Sequence, residues 1–531
     1  MADGPDAKEK LKIELGKQKL FGGQYKSALK IFQEVLANHP DDGTVLFYVG
    51  LTFYQLKEYD QALNTLEKAS TSKETNKETF YYLGLIYQND GKFEESIQAF
   101  TTFKGKITDK ENNDQYFIDN YISQLNNAKN MVTKPVDVKI ENMGSSINSK
   151  YDDKSPCVSA EGTKLVFTSR RPTTTDSPMD VEGDGGYFED IYLSHWDTTL
   201  HNWHNPEAVN GINTDAHDAV RSISPDGKTI FIYKNDLNGE SRGGDIYASK
   251  INGTKWKEPE SINKALGCVI NTTYWEDGAC ISPDGKHIYF VSESPKYGKE
   301  KGLGGGDIWV IDRISKTEWT KPKNLGAEVN TPYQEVGIFL APDGKTLFFC
   351  SNSPASMGDY DIFKTTLVNG KWTKPVNLGY PINTERKDGP FTLSANHTIG
   401  YLSSERKNGL GGSDIYKIDL TNYPLLEEDI KKSESGSNGL SILKGSVMDG
   451  FQGTRIENVE ITISDENGQL IQSINTDTNG EYFIALKGKS KYKLILSKKG
   501  YLKKETEVEL LEGKNGKPFS LEKQFLLDKE K

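Results

Sequence analysis

The chain has 531 residues, of which 35% are hydrophobic, 27% charged and 10% aromatic. At ~100–200 residues per domain this predicts about three to five domains, and it excludes a single small fold, a disordered chain and a collagen-like one. The net charge of −11, from 65 basic and 76 acidic residues, argues against nucleic acid as a main partner.

The opening stretch, MADGPDAKEK, has no apolar h-region, so the expectation is that this chain carries no signal peptide. No run approaches the ~18 apolar residues of a membrane helix. Over residues 1–131 several columns recur every 34 residues: Leu15, Val49, Leu83; Gly16, Gly50, Gly84; Tyr25, Tyr59, Phe93; Ala28, Ala62, Ser96; Phe32, Leu66, Phe100. A period of this length implies helix–turn–helix units, with small residues where helices cross and large apolar ones filling the groove. The pattern resembles the tetratricopeptide repeat (TPR), with Leu15-Gly16, Ala28, Phe32 and Pro40 on its signature positions. The third copy departs at Ser96. A helical stretch from Asp114 to Met131 is expected to cap the stack. The resemblance implies an α-solenoid whose concave face binds peptides or protein partners. The competing reading is that the repeats only space or dock the next domain.

From Lys134 to Leu420 a longer repeat runs five times. Its first element is I-N-T: Ile147-Asn148-Ser149, Ile212-Asn213-Thr214, Ile270-Asn271-Thr272, Val329-Asn330-Thr331, Ile382-Asn383-Thr384. Its second is a turn: Glu161-Gly162, Ser224-Pro225-Asp226-Gly227, Ser282-Pro283-Asp284-Gly285, Ala341-Pro342-Asp343-Gly344 and the degenerate Ser394-Ala395-Asn396-His397. Proline presets φ and glycine takes a positive φ, so P-D-G between alternating strands reads as a hairpin. The third element is D-I-aromatic, beginning at Asp190, Asp245, Asp307, Asp361 and Asp414. The fourth is W-x-x-P, with Trp203, Trp256, Trp319 and Trp372.

The last unit has no W-x-x-P strand, whereas an unpaired stretch, VDVKIENMG, precedes the first. If the sheets close in a ring, that early strand completes the last blade and removes a loose edge. The expectation is a five-bladed β-propeller over residues 132–421, six blades being the alternative. The S-P-D-G and D-I-Y elements resemble the PD40, or TolB-type, propeller repeat. That resemblance implies aspartates that bond backbone and aromatics that fill between blades.

Five residues after each repeat asparagine stands an acid: Asp153, Asp218, Glu276, Glu335 and Asp388. Each should enter the innermost strand of its blade, so the five would converge near one mouth of the channel. One reading makes each acid a latch on the neighbouring blade's backbone. A second makes the ring a cation site, with calcium as the candidate, because clustered carboxylates gain by sharing a counter-charge. Catalysis is the third. The loop Asp180-Val-Glu182-Gly-Asp184 resembles calcium loops in its alternating oxygens and glycine, which makes it a second metal candidate, but it lacks the twelve-residue EF-hand pattern and a solvated loop is the competing reading. The string His201-x-x-His204-x-x-Glu207 is interrupted by Pro206 and has no helix to gather it around a metal.

Residues 422–439 read as a polar linker, and 440–531 as strands with turns at Glu466-Asn467-Gly468 and Thr478-Asn479-Gly480. About seven strands suggest an immunoglobulin-like or transthyretin-like sandwich. The stretches KGSVMD, NVEITISDENGQ, TDTNGEYFIAL and KKGY resemble the carboxypeptidase regulatory-like domain, an accessory fold without a catalytic centre. Residues 1–131 carry a net −3 and residues 440–531 a net +1, so the remaining −9 lies in between.

The cysteines Cys157, Cys268, Cys280 and Cys350 show no C-x-x-C spacing, which argues against zinc and thioredoxin-like chemistry and leaves the compartment unread. There is no G-x-S-x-G, P-loop or H-E-x-x-H, so no enzyme is expected and no catalytic or cofactor-binding residue is assigned. The order of the three modules resembles periplasmic, outer-membrane-associated proteins of the OmpA-family type, among them components of type IX secretion. That resemblance implies a non-enzymatic scaffold on the periplasmic side of the outer membrane. Its partners would be envelope or secretion-complex proteins, held by the TPR groove and the propeller faces. Peptidoglycan would be reached only through an OmpA-like domain, which this sequence lacks, so the chain is expected to be a truncated form or a shorter paralogue. The alternatives are a carbohydrate- or peptide-binding propeller and a five-bladed propeller glycosidase.

Overall fold

The computed structural model describes all residues except 1–4, 180–185, 235–243, 316, 424, 427–438, 514–516 and 531. Six helices pair off in sequence: α1 (Ala7–Phe21), α2 (Tyr25–Leu36), α3 (Gly43–Gln55), α4 (Tyr59–Ser70), α5 (Glu78–Asn89) and α6 (Phe93–Lys104). The glycine column sits at the crossings. A Cβ on Gly16 would lie 2.5 Å from the Phe32 ring, on Gly50 2.6 Å from Leu66, and on Gly84 2.7 Å from the Phe100 ring. Ala28 and Ala62 are fully buried beside them. Ser96 fits the same column because its hydroxyl donates to the Gly84 carbonyl at 2.7 Å.

The capping helix begins later than the sequence implies. Residues Asp109–Tyr116 form one α turn and one π turn, and Phe117 takes a left-handed φ of 50°. The buried Asn112 side chain then accepts from the Ile118 amide, starting α7 (Ile118–Met131). Among the described residues no helix is long and apolar enough to cross a membrane.

Five antiparallel sheets follow. Their first strands are Asp153–Val158, Asp218–Ile223, Glu276–Ile281, Glu335–Leu340 and Asp388–Leu393, and each carries a β-bulge. The turn glycines Gly162, Gly227, Gly285 and Gly344 take φ of 66–69°, and His397 takes 61° in the degenerate copy. The W-x-x-P segments form two-residue strands such as Asn202–Trp203 and Glu207–Ala208, split by a proline that has no N–H to give the ladder. The first strands touch in a circuit, each against its neighbours and the fifth against the first. The early strand Lys139–Asn142 pairs with Asp414–Asp419, so it supplies the outer edge of the fifth sheet.

The C-terminal region is a pair of four-stranded sheets around Val459, Ile461, Leu494, Leu496 and Leu510. The strand Leu440–Asp449 runs parallel to Ser520–Glu522 and then to Phe525–Leu527. Gly445 marks the change of partner, where a Cβ would lie 1.9 Å from the Lys523 carbonyl oxygen.

The two flanking units dock at opposite ends of the first strands. On the side where those strands begin, the α7 amides donate to loop carbonyls. Asn120 reaches Asn352 at 2.9 Å, Gln124 reaches Asn352 at 2.8 Å, and Asn127 reaches Pro354 at 2.7 Å. Arg386 adds a bond to the Asn89 carbonyl at 2.9 Å. On the turn side, Ala160 and Ala395 pack against Leu440 and Ile442 of the C-terminal region. The Leu440 amide donates to Ala395 at 2.9 Å, and Glu161 bonds both Lys444 and Ser520.

Gly84→Ala should force the Phe100 ring out of its crossing and cost about 1–3 kcal/mol. Urea denaturation followed by circular dichroism at 222 nm measures this.

Candidate functional site

The acids at the head of the first strands are the natural candidates, and all five are fully buried. Each turns back onto its own entering segment. The residue four positions earlier donates both its amide and its hydroxyl: Ser149 to Asp153, Thr214 to Asp218, Thr272 to Glu276, Thr331 to Glu335 and Thr384 to Asp388, at 2.5–2.9 Å. The bond to the neighbouring sheet is made instead by the acid's backbone. The amides of Asp153, Asp218, Glu276, Glu335 and Asp388 donate to Ser413, Glu189, Gly244, Gly306 and Tyr360 respectively. The side chains thus differ from the converging ring that the sequence implies, because a buried carboxylate this close to an N–H and an O–H is best solvated by them.

The further partners of the carboxylates differ between the repeats. Two aspartates meet cations, Arg171 at 2.5 Å from Asp153 and Lys234 at 2.8 Å from Asp218, whereas Asp388 accepts from the Ser404 hydroxyl at 2.5 Å with Arg406 3.6 Å away. The glutamates meet serines: Ser292 at 2.7 Å from Glu276 and Ser351 at 3.1 Å from Glu335. Burial pushes Glu276 and Glu335 up to about 7. Burial also raises Asp388, to about 6, although Arg406 opposes it.

The asparagine five residues before each acid links the sheets. Its side-chain oxygen accepts from an isoleucine amide and its nitrogen donates to the same isoleucine's carbonyl. The pairs are Asn213 with Ile191, Asn271 with Ile246, Asn330 with Ile308, Asn383 with Ile362, and Asn148 with Ile415, all at 2.8–3.0 Å. These isoleucines are the centre of the D-I-aromatic element of the preceding sheet. The aspartate beside them holds a glycine-containing loop: Asp361 accepts from the amides of Met357 and Gly358, Asp414 from Leu410 and Gly411. Burial raises Asp361 to about 8. The aromatics are packed inward, Trp309 completely.

Along the axis, Arg221 of the second sheet lies 2.8 Å from Asp277 of the third, and Asp277 also accepts from the Gly337 amide of the fourth at 3.0 Å. Nearer the turns, Val158, Ile223, Cys280, Leu340 and Leu393 surround a void of about 10 Å³. His204 sits 3.4 Å from Asp197. Among the described residues no three His, Cys, Asp or Glu side chains gather as a metal site. The loop of Asp180, Glu182 and Asp184 lies outside the described residues, as does most of the 422–439 linker.

Sequence reasoning missed the counter-cations and the α7 amide ladder. The cation signal was present in the repeat alignment: where the acid is Asp153 or Asp388 an arginine follows eighteen residues on, and where it is Glu276 or Glu335 that position is Ser294 or Ser353.

A family profile for the carboxypeptidase regulatory-like domain matches residues 442–518. A profile for subunit 3 of the anaphase-promoting complex, or cyclosome, matches residues 22–103. The N-terminal region is therefore a TPR-like helical repeat and the C-terminal region a carboxypeptidase regulatory-like domain. No curated protein sequence matches. Among solved structures, one similar chain is the Yersinia enterocolitica type III secretion chaperone SycD, in complex with a peptide of the translocator YopD. It has 13% identity and a TM-score of 0.22, over 24% of this chain and 97% of that one. MamA of Desulfovibrio magneticus RS-1 has 23% identity and a TM-score of 0.21, over 23% of this chain and 66% of that one. The 3-chlorocatechol 1,2-dioxygenase of Rhodococcus opacus 1CP has 16% identity and a TM-score of 0.15, over 18% of this chain and 63% of that one.

Two predictions follow from the buried groups. Asn148→Ala strands the amide and carbonyl of the buried Ile415 and should cost about 2–4 kcal/mol in urea denaturation. Glu276 and Glu335 are raised from 4.5 to about 7, so the protonated form is favoured in the folded chain. Their contribution is complete below about pH 4.5 and is lost as pH rises to about 7. The double variant Glu276→Gln, Glu335→Gln should flatten that part of a melting-temperature profile between those pH values.

Proposed function

We propose that the five sheets are the blades of a five-bladed propeller, closed by the strand Lys139–Asn142, and that the chain is a non-enzymatic scaffold of the bacterial envelope. In this reading residues 1–131, 132–421 and 440–531 are three binding modules, with 422–439 as the connection. The observation that carries the reading is the docking of the helical unit and the C-terminal domain at opposite ends of the first strands. A rigid body with a different module fixed at each end is suited to holding two partners at a set distance and orientation. The modular order supports a place beside the type IX secretion component PorE, on the periplasmic side of the outer membrane.

The channel chemistry supports adhesion over turnover. Glycoside hydrolysis uses two carboxyl groups about 5–9 Å apart that flank an open bond-cleaving position. Here the five repeat acids are enclosed by their own Ser and Thr donors, and Asp277 is paired with Arg221. The same enclosure leaves little for a calcium ion to bind.

Crosslinking the tagged full chain in intact cells, then fractionating the envelope, tests the proposal. The expected result is recovery with the outer membrane and crosslinks to secretion-complex proteins. Recovery in the cytoplasm, or measurable glycan hydrolysis, would overturn it.

A further inference from the structure

The loops ahead of the D-I-aromatic elements follow a pattern that the fourth copy breaks. Two residues before the repeat aspartate stand Phe188, Gly243, Gly305, Asp359 and Gly412, so a charge occurs there in the fourth repeat alone. This position faces the residue that precedes the next buried acid. A Cβ on Gly305 would lie 2.5 Å from the Gln334 side chain, and one on Gly412 2.3 Å from the Asp152 carboxylate. In the fourth repeat the residue in that place is Lys387, but its ammonium sits 5.2 Å over the Tyr360 ring. Asp359 has no hydrogen bond or ion pair among the described residues.

The loop that carries Asp359 is held firmly. Ser356 and Met357 are completely buried, and a Cβ on Gly358 would lie 2.4 Å from the carbonyl oxygens of Thr384 and Arg386. The α7 amides grip the same loop at Asn352 and Pro354. Three tyrosines come to it from three helices: Tyr54 of α3, Tyr81 of α5 and Tyr121 of α7. The hydroxyls of Tyr81 and Tyr121 meet at 3.4 Å. Burial raises all three hydroxyls, and the Asp359 carboxylate adds to each rise. Asp359 itself is exposed, yet the surrounding protein desolvates it enough to raise its carboxyl, with Lys387 opposing. A group that water can touch and that protein still crowds lies in a recess. Each of the three tyrosines also keeps part of its surface open.

We infer that the recess at Asp359, between the helical unit and the fourth sheet, takes an arginine side chain of a partner protein. The carboxylate supplies the charge, and the tyrosine rings supply faces on which a planar guanidinium stacks. A lysine ammonium is more strongly hydrated, so entering a partly enclosed site costs it more. An apolar side chain would leave the carboxylate desolvated and without a partner, and an anion would be repelled by it. The net −9 of residues 132–439 favours the approach of a basic segment. This deepens the scaffold reading by naming the chemistry of one contact, and it rests on that reading only for the partner being a protein.

The test uses the full chain carrying carbon-13 at the tyrosine Cζ, with the signals of Tyr54, Tyr81 and Tyr121 identified from single Tyr→Phe variants. The probes are N-acetyl-arginine amide, N-acetyl-lysine amide and N-acetyl-citrulline amide, the last an uncharged isostere of arginine. The arginine probe should shift those three signals saturably, and the citrulline probe should bind ~10-fold more weakly. Asp359→Asn should weaken the arginine probe to the same extent. Asp359→Gly installs the residue of the third and fifth repeats, so it should melt no lower than the parent while losing the arginine response. The inference is overturned by an absent or non-saturating shift, by equal affinity for citrulline, or by tighter binding of the lysine probe. It is also overturned by an arginine response that survives Asp359→Gly. The measurement uses purified chain, so recovery of the protein in the cytoplasm would sink the envelope reading and leave this one standing.

Discussion

A side-chain amide that pairs like a strand residue holds the middle of this protein together. Each repeat asparagine offers one acceptor and one donor to a single isoleucine of the sheet before it, which is what a neighbouring strand would offer. Sheets packed face to face have no backbone ladder between them, so something else must fix their angle and spacing. The asparagine does this by satisfying a buried amide and a buried carbonyl at once, groups whose neglect is costly. The fifth copy, Asn148 with Ile415, spans the join between the start and end of the series.

The buried acids serve the same end from the other direction. A carboxylate between an amide and a hydroxyl shapes the segment that leads from one sheet into the next strand. Its residual charge is then handled in two ways. Aspartate, being shorter, leaves room for Arg171 or Lys234, and Asp388 has both a serine, Ser404, and a more distant cation, Arg406. Glutamate reaches further, meets Ser292 or Ser351, and holds its proton toward neutral pH instead. One fold therefore tolerates two electrostatic solutions at equivalent positions.

The columns of the two repeats were legible because packing demands them. Gly16, Gly50 and Gly84 have no space for a Cβ, and the turn glycines need positive φ. The pairing of Lys139–Asn142 with the last sheet could be inferred by noticing one strand too many at the start and one too few at the end. Other features depend on contacts between distant segments. The amides of Asn120, Gln124 and Asn127 look like ordinary polar residues on a capping helix until the loop at Asn352–Ser356 is placed against them. The break at Phe117 was hidden because a left-handed residue followed by an Asn112 cap leaves the apolar spacing of the helix nearly intact.

The joining strand has a mechanical corollary. Lys139 lies opposite Asp419, so the chain enters and leaves the sheet series at the same end of one strand pair. Tension between the helical unit and the C-terminal domain would reach that pair as peeling, which breaks its hydrogen bonds one after another, and not as shear, which must break them together. The docking contacts on either side therefore act as strain relief. They divert force away from this closing seam.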